Sequence, residues 1–200
     1  WDVLNQEVLN LLFKVRREDY VPEAHRALAF VDMEIPIGHG QTMWTPKLEA
    51  RALQELAIRP TDRVLEVGTG SGYLTALLAS QAAEVVSVDI VPEFTASATQ
   101  KLRAHGFDNV ALHPGDAARD WPDEAGFDVI VLTGSTPLLS DAFRRRLHVG
   151  GRLFAIVGEA PVMRAQLITC TAPGAVRSVT VFETCVAPLI NAPQPAAFVF

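Results

Sequence analysis

The stretch Val64-Leu65-Glu66-Val67-Gly68-Thr69-Gly70-Ser71-Gly72-Tyr73 decides the fold of this chain. Apolar residues around a single acid run without a break into a turn with glycine at every second position. Leu74, Leu77 and Leu78 then recur at helical spacing. A buried strand, a glycine-rich turn and an apolar helix, in that order, make the opening unit of a nucleotide-binding α/β fold. In such a unit backbone N–H groups and the start of a helix face the ligand.

Working outward, the alternation continues downstream. A strand at 85–88 leads to a helix near 93–104, with Gly106 as its C′ residue. Strands follow at 110–112 and 127–132, then a helix near 140–147 ending at the Gly150-Gly151 turn, then a strand at 153–157. The unbroken apolar run from Val129 to Leu132 implies burial on both faces, as in a parallel sheet covered by helices. Runs 165–171 and 178–187 have no helix between them and pair best as an antiparallel hairpin at the sheet edge. Asn191 to Pro195 reads as a loop and Phe198-Val199-Phe200 as a short terminal strand. Upstream, Leu4, Val8, Leu11 or Leu12, and Val15 place an amphipathic helix over residues 2–16. Thr45 has the place of an N-cap with Pro46 at N1, opening a helix that buries Leu48, Ala52, Leu53 and Leu56. Between them, up to Trp44, lies the least regular part of the chain, expected to act as a lid over residues 35–45. The expected fold class is α/β: a doubly wound, mostly parallel sheet with an antiparallel C-terminal hairpin. Residues 1–60 form a helical and loop extension, and residues 61–200 form the ligand-binding unit.

The ligand is narrowed by what the glycine turn contains. It reads G-x-G-x-G rather than the G-x-G-x-x-G of a dinucleotide site, and no Lys or Arg stands in it to meet a pyrophosphate. Glu66 precedes the turn, and Asp89 ends the next strand, where a ribose diol sits in this fold class. Carboxylates around a phosphate-free loop suit a ligand with a ribose, an amino group and a sulfonium charge, which is S-adenosylmethionine. The expected contacts lie at four strand ends: Gly68, Thr69, Gly70 and Gly72 after the first; Asp89 and Ile90 after the second; Gly115, Asp116 and Ala117 after the third; Leu132 and Thr133 at the fourth. Asp89 would accept from the ribose hydroxyls, Ile90 would wall the adenine, and Asp116 would accept from the adenine amine. Glu66 has two open readings, ligand contact or an internal brace of the loop. Asp116 also has two, adenine contact or capping a turn.

Bulk properties bound the function. Two hundred residues with 49% hydrophobic and 20% charged content fit one globular unit. A formal charge of −6 argues against a nucleic-acid groove. The basic run Arg144-Arg145-Arg146 reads as the solvated, dipole-complementing end of a helix. No apolar run approaches the ~20 residues of a membrane span. Cys170 and Cys185 lack metal spacing and read as buried thiols, so a reducing cytoplasmic setting is expected.

Arg17-Glu18-Asp19-Tyr20-Val21-Pro22, then Ile35-Pro36-Ile37-Gly38-His39-Gly40-Gln41-Thr42, then Pro46, resemble the N-terminal region of protein-L-isoaspartate O-methyltransferases. The resemblance continues through Arg63 to Tyr73, Gly115-Asp116, Trp121-Pro122, Phe127-Asp128 and Gly150-Gly151, and so spans nearly the whole chain. It implies methylation of isoaspartyl carboxyls in damaged proteins, with Gln41 and Thr42 beside the cofactor. The chain departs from the family at Asp89-Ile90, where members often carry glutamate-arginine, at Gly134-Ser135, where small apolar residues are usual, and most consequentially after Thr42. Where its members continue isoleucine-serine-glutamine-proline, this chain reads Met43-Trp44-Thr45-Pro46, so an indole replaces the hydroxyl and Thr45 becomes the candidate catalytic hydroxyl beside its N-cap role. Trp44 stacks on substrate or plugs the lid, and His39 is a lesser candidate for substrate contact. A carboxylate acceptor is already ionised at neutral pH and needs no general base. Two other readings fit the same residues: a methyltransferase with another acceptor, or a cofactor-binding protein without catalysis. An NAD-dependent oxidoreductase fits the fold but not the glycine spacing.

Overall fold

The computed structural model describes residues 5–196. Helix α1 (Gln6–Lys14) is capped by Asn5, whose side chain accepts from the N–H groups of Glu7 and Val8, and it buries Val8 and Leu11. The segment read as irregular is more ordered than its composition suggests. It holds two 3₁₀ turns (Arg17–Asp19 and Glu23–Leu28) and a small antiparallel hairpin of β1 (Ile35–Gly38) and β2 (Gln41–Met43). Helix α2 (Pro46–Leu56) opens as expected, with the Thr45 side chain accepting from the Leu48 N–H at 3.2 Å. Leu48, Ala52, Leu53 and Leu56 are all buried.

Then come β3 (Arg63–Val67), α3 (Tyr73–Ala79), β4 (Glu84–Asp89), α4 (Pro92–Ala104), β5 (Val110–Pro114), β6 (Phe127–Thr136), α5 (Asp141–Arg146), β7 (Leu147–Glu159), β8 (Val162–Ala172) and β9 (Ala175–Thr184). One seven-stranded sheet runs β5-β4-β3-β6-β7-β8-β9. The first five of these strands are parallel to their neighbours, and β8 and β9 are added antiparallel. Successive side chains of a strand point to opposite faces, and here both faces are core. Val129 and Val131 join the cluster under α1 to α4, while Ile130 and Leu132 join the one under α5. That second face is covered by one short helix and by the loop after β5, with Trp121 packed on it. Strand order reverses between β3 and β6, which opens a crevice at their carboxyl ends.

Three sequence readings need correction. Strand β7 begins at Leu147 and carries Gly150-Gly151 within an irregular pairing to β6, not in a separate turn. The run read as a strand to 187 ends at Thr184, and Cys185 is exposed while Cys170 is buried. The chain after Thr184 crosses back over the sheet end instead of continuing along its edge. There Ser135 N–H donates to Ala187 O at 3.0 Å, Leu189 N–H donates to Ser135 O at 2.9 Å, and Ser135 Oγ donates to Val186 O at 3.1 Å. The expected strand at 198–200 lies outside the described residues. Among the described residues no helix is long and apolar enough to cross a membrane.

Candidate active site

The glycine turn is held from below by a buried run of hydroxyls. Thr75 Oγ1 and Ser87 Oγ each donate to Glu66 Oε2 at 2.5 Å, and Thr69 Oγ1 lies 2.7 Å from Ser87 Oγ. Glu66 is fully buried, and burial pushes its carboxyl up to about 8 against the pull of the two hydroxyls. It therefore braces the turn from beneath and does not line the cavity above it. From the side, Asp89 takes the Gly70 N–H on Oδ2 at 2.8 Å and the Val91 N–H on Oδ1 at 2.9 Å. Burial raises its carboxyl as well, while those N–H groups pull it down. On the far side Thr133 Oγ1 lies 2.9 Å from both Val67 O and Gly68 O. A Cβ at Gly68 would collide with that Thr133 hydroxyl, so glycine is required there by the neighbouring strand end before any ligand is considered.

Over these groups lies a cavity at the switch point of the sheet. Its wall brings together Gln41, Thr42, Gly68, Thr69, Gly70, Asp89, Ile90, Gly115, Asp116, Ala117 and Thr133, all of them candidates named from the sequence. Four expected residues stand elsewhere. Glu66 is below the turn. Gly72 packs against α4, where a Cβ would meet Ala98 Cβ at 3.0 Å. Leu132 points into the core. Thr45 caps α2 and lines a neighbouring cavity instead. Asp116 makes both kinds of local contact: Oδ1 accepts from the Ala118 N–H at 3.0 Å and Oδ2 from Asn191 Nδ2 at 2.8 Å. His39 is exposed, its ring edge-on to Phe94 at 5.3 Å.

Several lining residues escaped the sequence reading. Val186 to Ile190 form one wall, and only their apolar run just after the hairpin hinted at burial. Glu34 accepts from Thr42 Oγ1 at 3.2 Å. Glu49 is buried beside Arg17, whose Nε donates to Glu49 Oε2 at 3.0 Å. Burial pushes Glu49 up to about 7, with the guanidinium pulling the other way. Arg17 also donates to Ala29 O at 2.6 Å and Trp44 O at 2.5 Å, so one buried cation gathers three segments. Trp44 is buried edge-on to Phe154 at 6.3 Å, the plug of its two sequence readings, and it still forms part of the wall. The lining contains Glu34, Glu49, Asp89 and Asp116 but no Lys or Arg. Such a wall disfavours a pyrophosphate and suits a ligand carrying positive charge. A second cavity of about 160 Å³ adjoins it, with Glu34 and Val186 lining both.

The model of the protein-L-isoaspartate (D-aspartate) O-methyltransferase family matches residues 2–192. The chain belongs to that family. A protein-L-isoaspartate O-methyltransferase of Myxococcus xanthus is 42% identical over 156 residues, covering 78% of this chain and 74% of the relative. One of Rhodopseudomonas palustris is 36% identical over 198 residues, covering 95% and 81%. Among solved structures, a candidate protein-L-isoaspartate O-methyltransferase from Plasmodium falciparum, in complex with S-adenosyl-L-homocysteine, superposes with a TM-score of 0.82. It covers 94% of this chain and 91% of that one at 22% identity, a likeness of fold. S-adenosylmethionine is the methyl donor of isoaspartate O-methyltransferases, and the acidic, cation-free wall found here fits its sulfonium and amino groups.

Proposed function

We propose that this chain transfers a methyl group from S-adenosylmethionine to the carboxylate of isoaspartyl residues in polypeptides. The family match across residues 2–192, falling on a cavity lined by carboxylates and no Lys or Arg, carries this reading. S-adenosylmethionine, when bound, supplies an electrophilic methyl group. Asp89 would hold the ribose hydroxyls, using carboxylate lone pairs left over from its two backbone donors. Ile90 and the 115–117 turn would enclose the adenine, while Gly68 and Thr133 would line the donor end. The protein's contribution to rate is alignment of acceptor and donor, which supplies roughly 7–11 kcal/mol in favourable cases, together with a wall that excludes water. No general base is required, since an ordinary carboxyl ionises near pH ~4. The formal charge of −6 supports a polypeptide over a nucleic-acid acceptor. Residues 1–60 contribute the acceptor side through Glu34, Thr42 and Trp44, and the thiols Cys170 and Cys185, both free, suit a reducing cytoplasm.

A second reading rests on Trp44, an indole where the family carries a hydroxyl. It keeps the donor and changes the acceptor. One experiment separates the two: transfer of labelled methyl to an isoaspartyl peptide and to its aspartyl twin, with cofactor affinity measured by calorimetry. Base-labile labelling of the isoaspartyl peptide alone supports the first reading. Tight cofactor binding without labelling overturns it in favour of another acceptor or a non-catalytic role.

A further inference from the structure

Residues 29–34 form a loop that is pinned along its length yet displays apolar side chains to water. Phe30 is 72% exposed, Val31 46% and Met33 40%. The Ala29 carbonyl is gripped by Arg17, Asp32 pairs with Lys47 Nζ at 3.2 Å, and Glu34 accepts from Thr42. A contiguous apolar display on an ordered segment marks a surface for a partner. Asp32 and Lys47 also line the second cavity with Glu34, Thr45 and Thr184, and Leu48, Phe182 and Val186 supply its apolar side. At about 160 Å³ it matches the roughly 150 Å³ that accommodates a benzene-sized group. Glu34 and Val186 line both this cavity and the cofactor cavity, so the two adjoin. Loop, side-chain-sized cavity and transfer site thus lie next to one another, a path for an extended segment.

We propose that this path seats the stretch of polypeptide flanking the methyl-accepting residue. One apolar side chain of that stretch enters the second cavity, and its neighbours lie against Phe30, Val31 and Met33. The inference rests on the polypeptide acceptor proposed above, and the shared wall with the transfer site is what favours a substrate segment over a second copy of the chain.

The test uses fluorescein-labelled isoaspartyl peptides of equal length, with either leucine or serine beside the acceptor. Their binding is read by anisotropy in the presence of S-adenosylhomocysteine. The leucine peptide should bind about tenfold tighter, the effect of burying one aliphatic side chain. Phe30→Ser with Thr184→Trp, the second of which fills the cavity, should remove most of that difference, with calorimetric affinity for S-adenosylhomocysteine retained as the check on folding. Equal binding of both peptides to the unaltered protein overturns the proposal, as does an undiminished preference in the double variant. A dimer in sedimentation that the double variant dissociates also overturns it, assigning the face to a second copy. Methyl transfer is scored separately on the same peptides. Preference without transfer supports the seat and refutes the isoaspartyl reading, whereas transfer without preference does the reverse.

Discussion

Glu66 and Asp89 are both acids beside one glycine turn, and their surroundings give them different work. Glu66 has only hydroxyl partners and no solvent, so its carboxyl, ordinarily near 4.5, titrates at about 8. The sign of the consequence follows from proton counting. Below the unfolded value both states are protonated and folding bears no penalty. Between there and about 8 the unfolded chain releases a proton that the folded chain keeps, so stability falls as pH rises. Melting temperature should therefore drop from pH 5 toward pH 8, and Glu66→Gln should flatten that slope; a slope unchanged in the variant would contradict this account. Asp89 instead shares its oxygens between two backbone N–H groups and the cavity. Losing a charge-assisted acceptor costs about 1.5–3 kcal/mol, so Asp89→Ala should weaken cofactor binding roughly 10- to 100-fold by calorimetry. The strand-end position of Asp89 was readable from sequence. That of Glu66 was too, but its direction was not, because a strand residue next to a turn faces ligand or core according to a pleat that only the neighbouring strands settle.

At the level of elements, α2 joins the extension to the sheet and is fixed at both ends. Its first turn depends on Thr45, and Thr45→Ala should lower stability by about 1 kcal/mol in urea unfolding, the cost of a lost N-cap. If Thr45 were the active-site hydroxyl alone, stability would not change. Its last carbonyls accept from Arg152, with Nε reaching Leu56 O at 2.7 Å and Nη2 reaching Ala57 O at 3.0 Å. Within the first turn, Glu49 secures Arg17, which in turn holds Ala29 and Trp44. Arg17→Ala leaves a buried carboxylate without its cation and should cost about 3–5 kcal/mol, measurable by the same unfolding. The caps of α2 were legible, being local. The hairpin of β1 and β2 was not, because strands of four and three residues carry too little alternation to stand out from a loop. The Arg17–Glu49 pair, 32 positions apart, likewise has no local signature.

For the molecule as a whole, the parallel sheet follows from one strongly marked repeat of apolar strand and helix, which is why its order could be read so far in advance. The last wall of the cavity could not. Val186 to Ile190 look like the end of a hairpin, and only the hydrogen bonds at Ser135 carry them back across the sheet. Gly134 leaves room for that crossing: a Cβ there would stand 2.9 Å from Leu189 N. Gly134→Ala should push the segment outward and weaken cofactor binding about tenfold, in line with an overpacking cost of roughly 1–3 kcal/mol. Full affinity in that variant would mean the segment is not a needed wall. The crossing also sets an order of events during synthesis. A nascent chain that has emerged only as far as Thr184 already holds every strand of the sheet, the glycine turn and Asp89. It still lacks one side of its own active site. The cavity is thus closed only once residues 186–190 have followed every strand of the sheet out of the ribosome, so the pocket is completed after the scaffold that carries it.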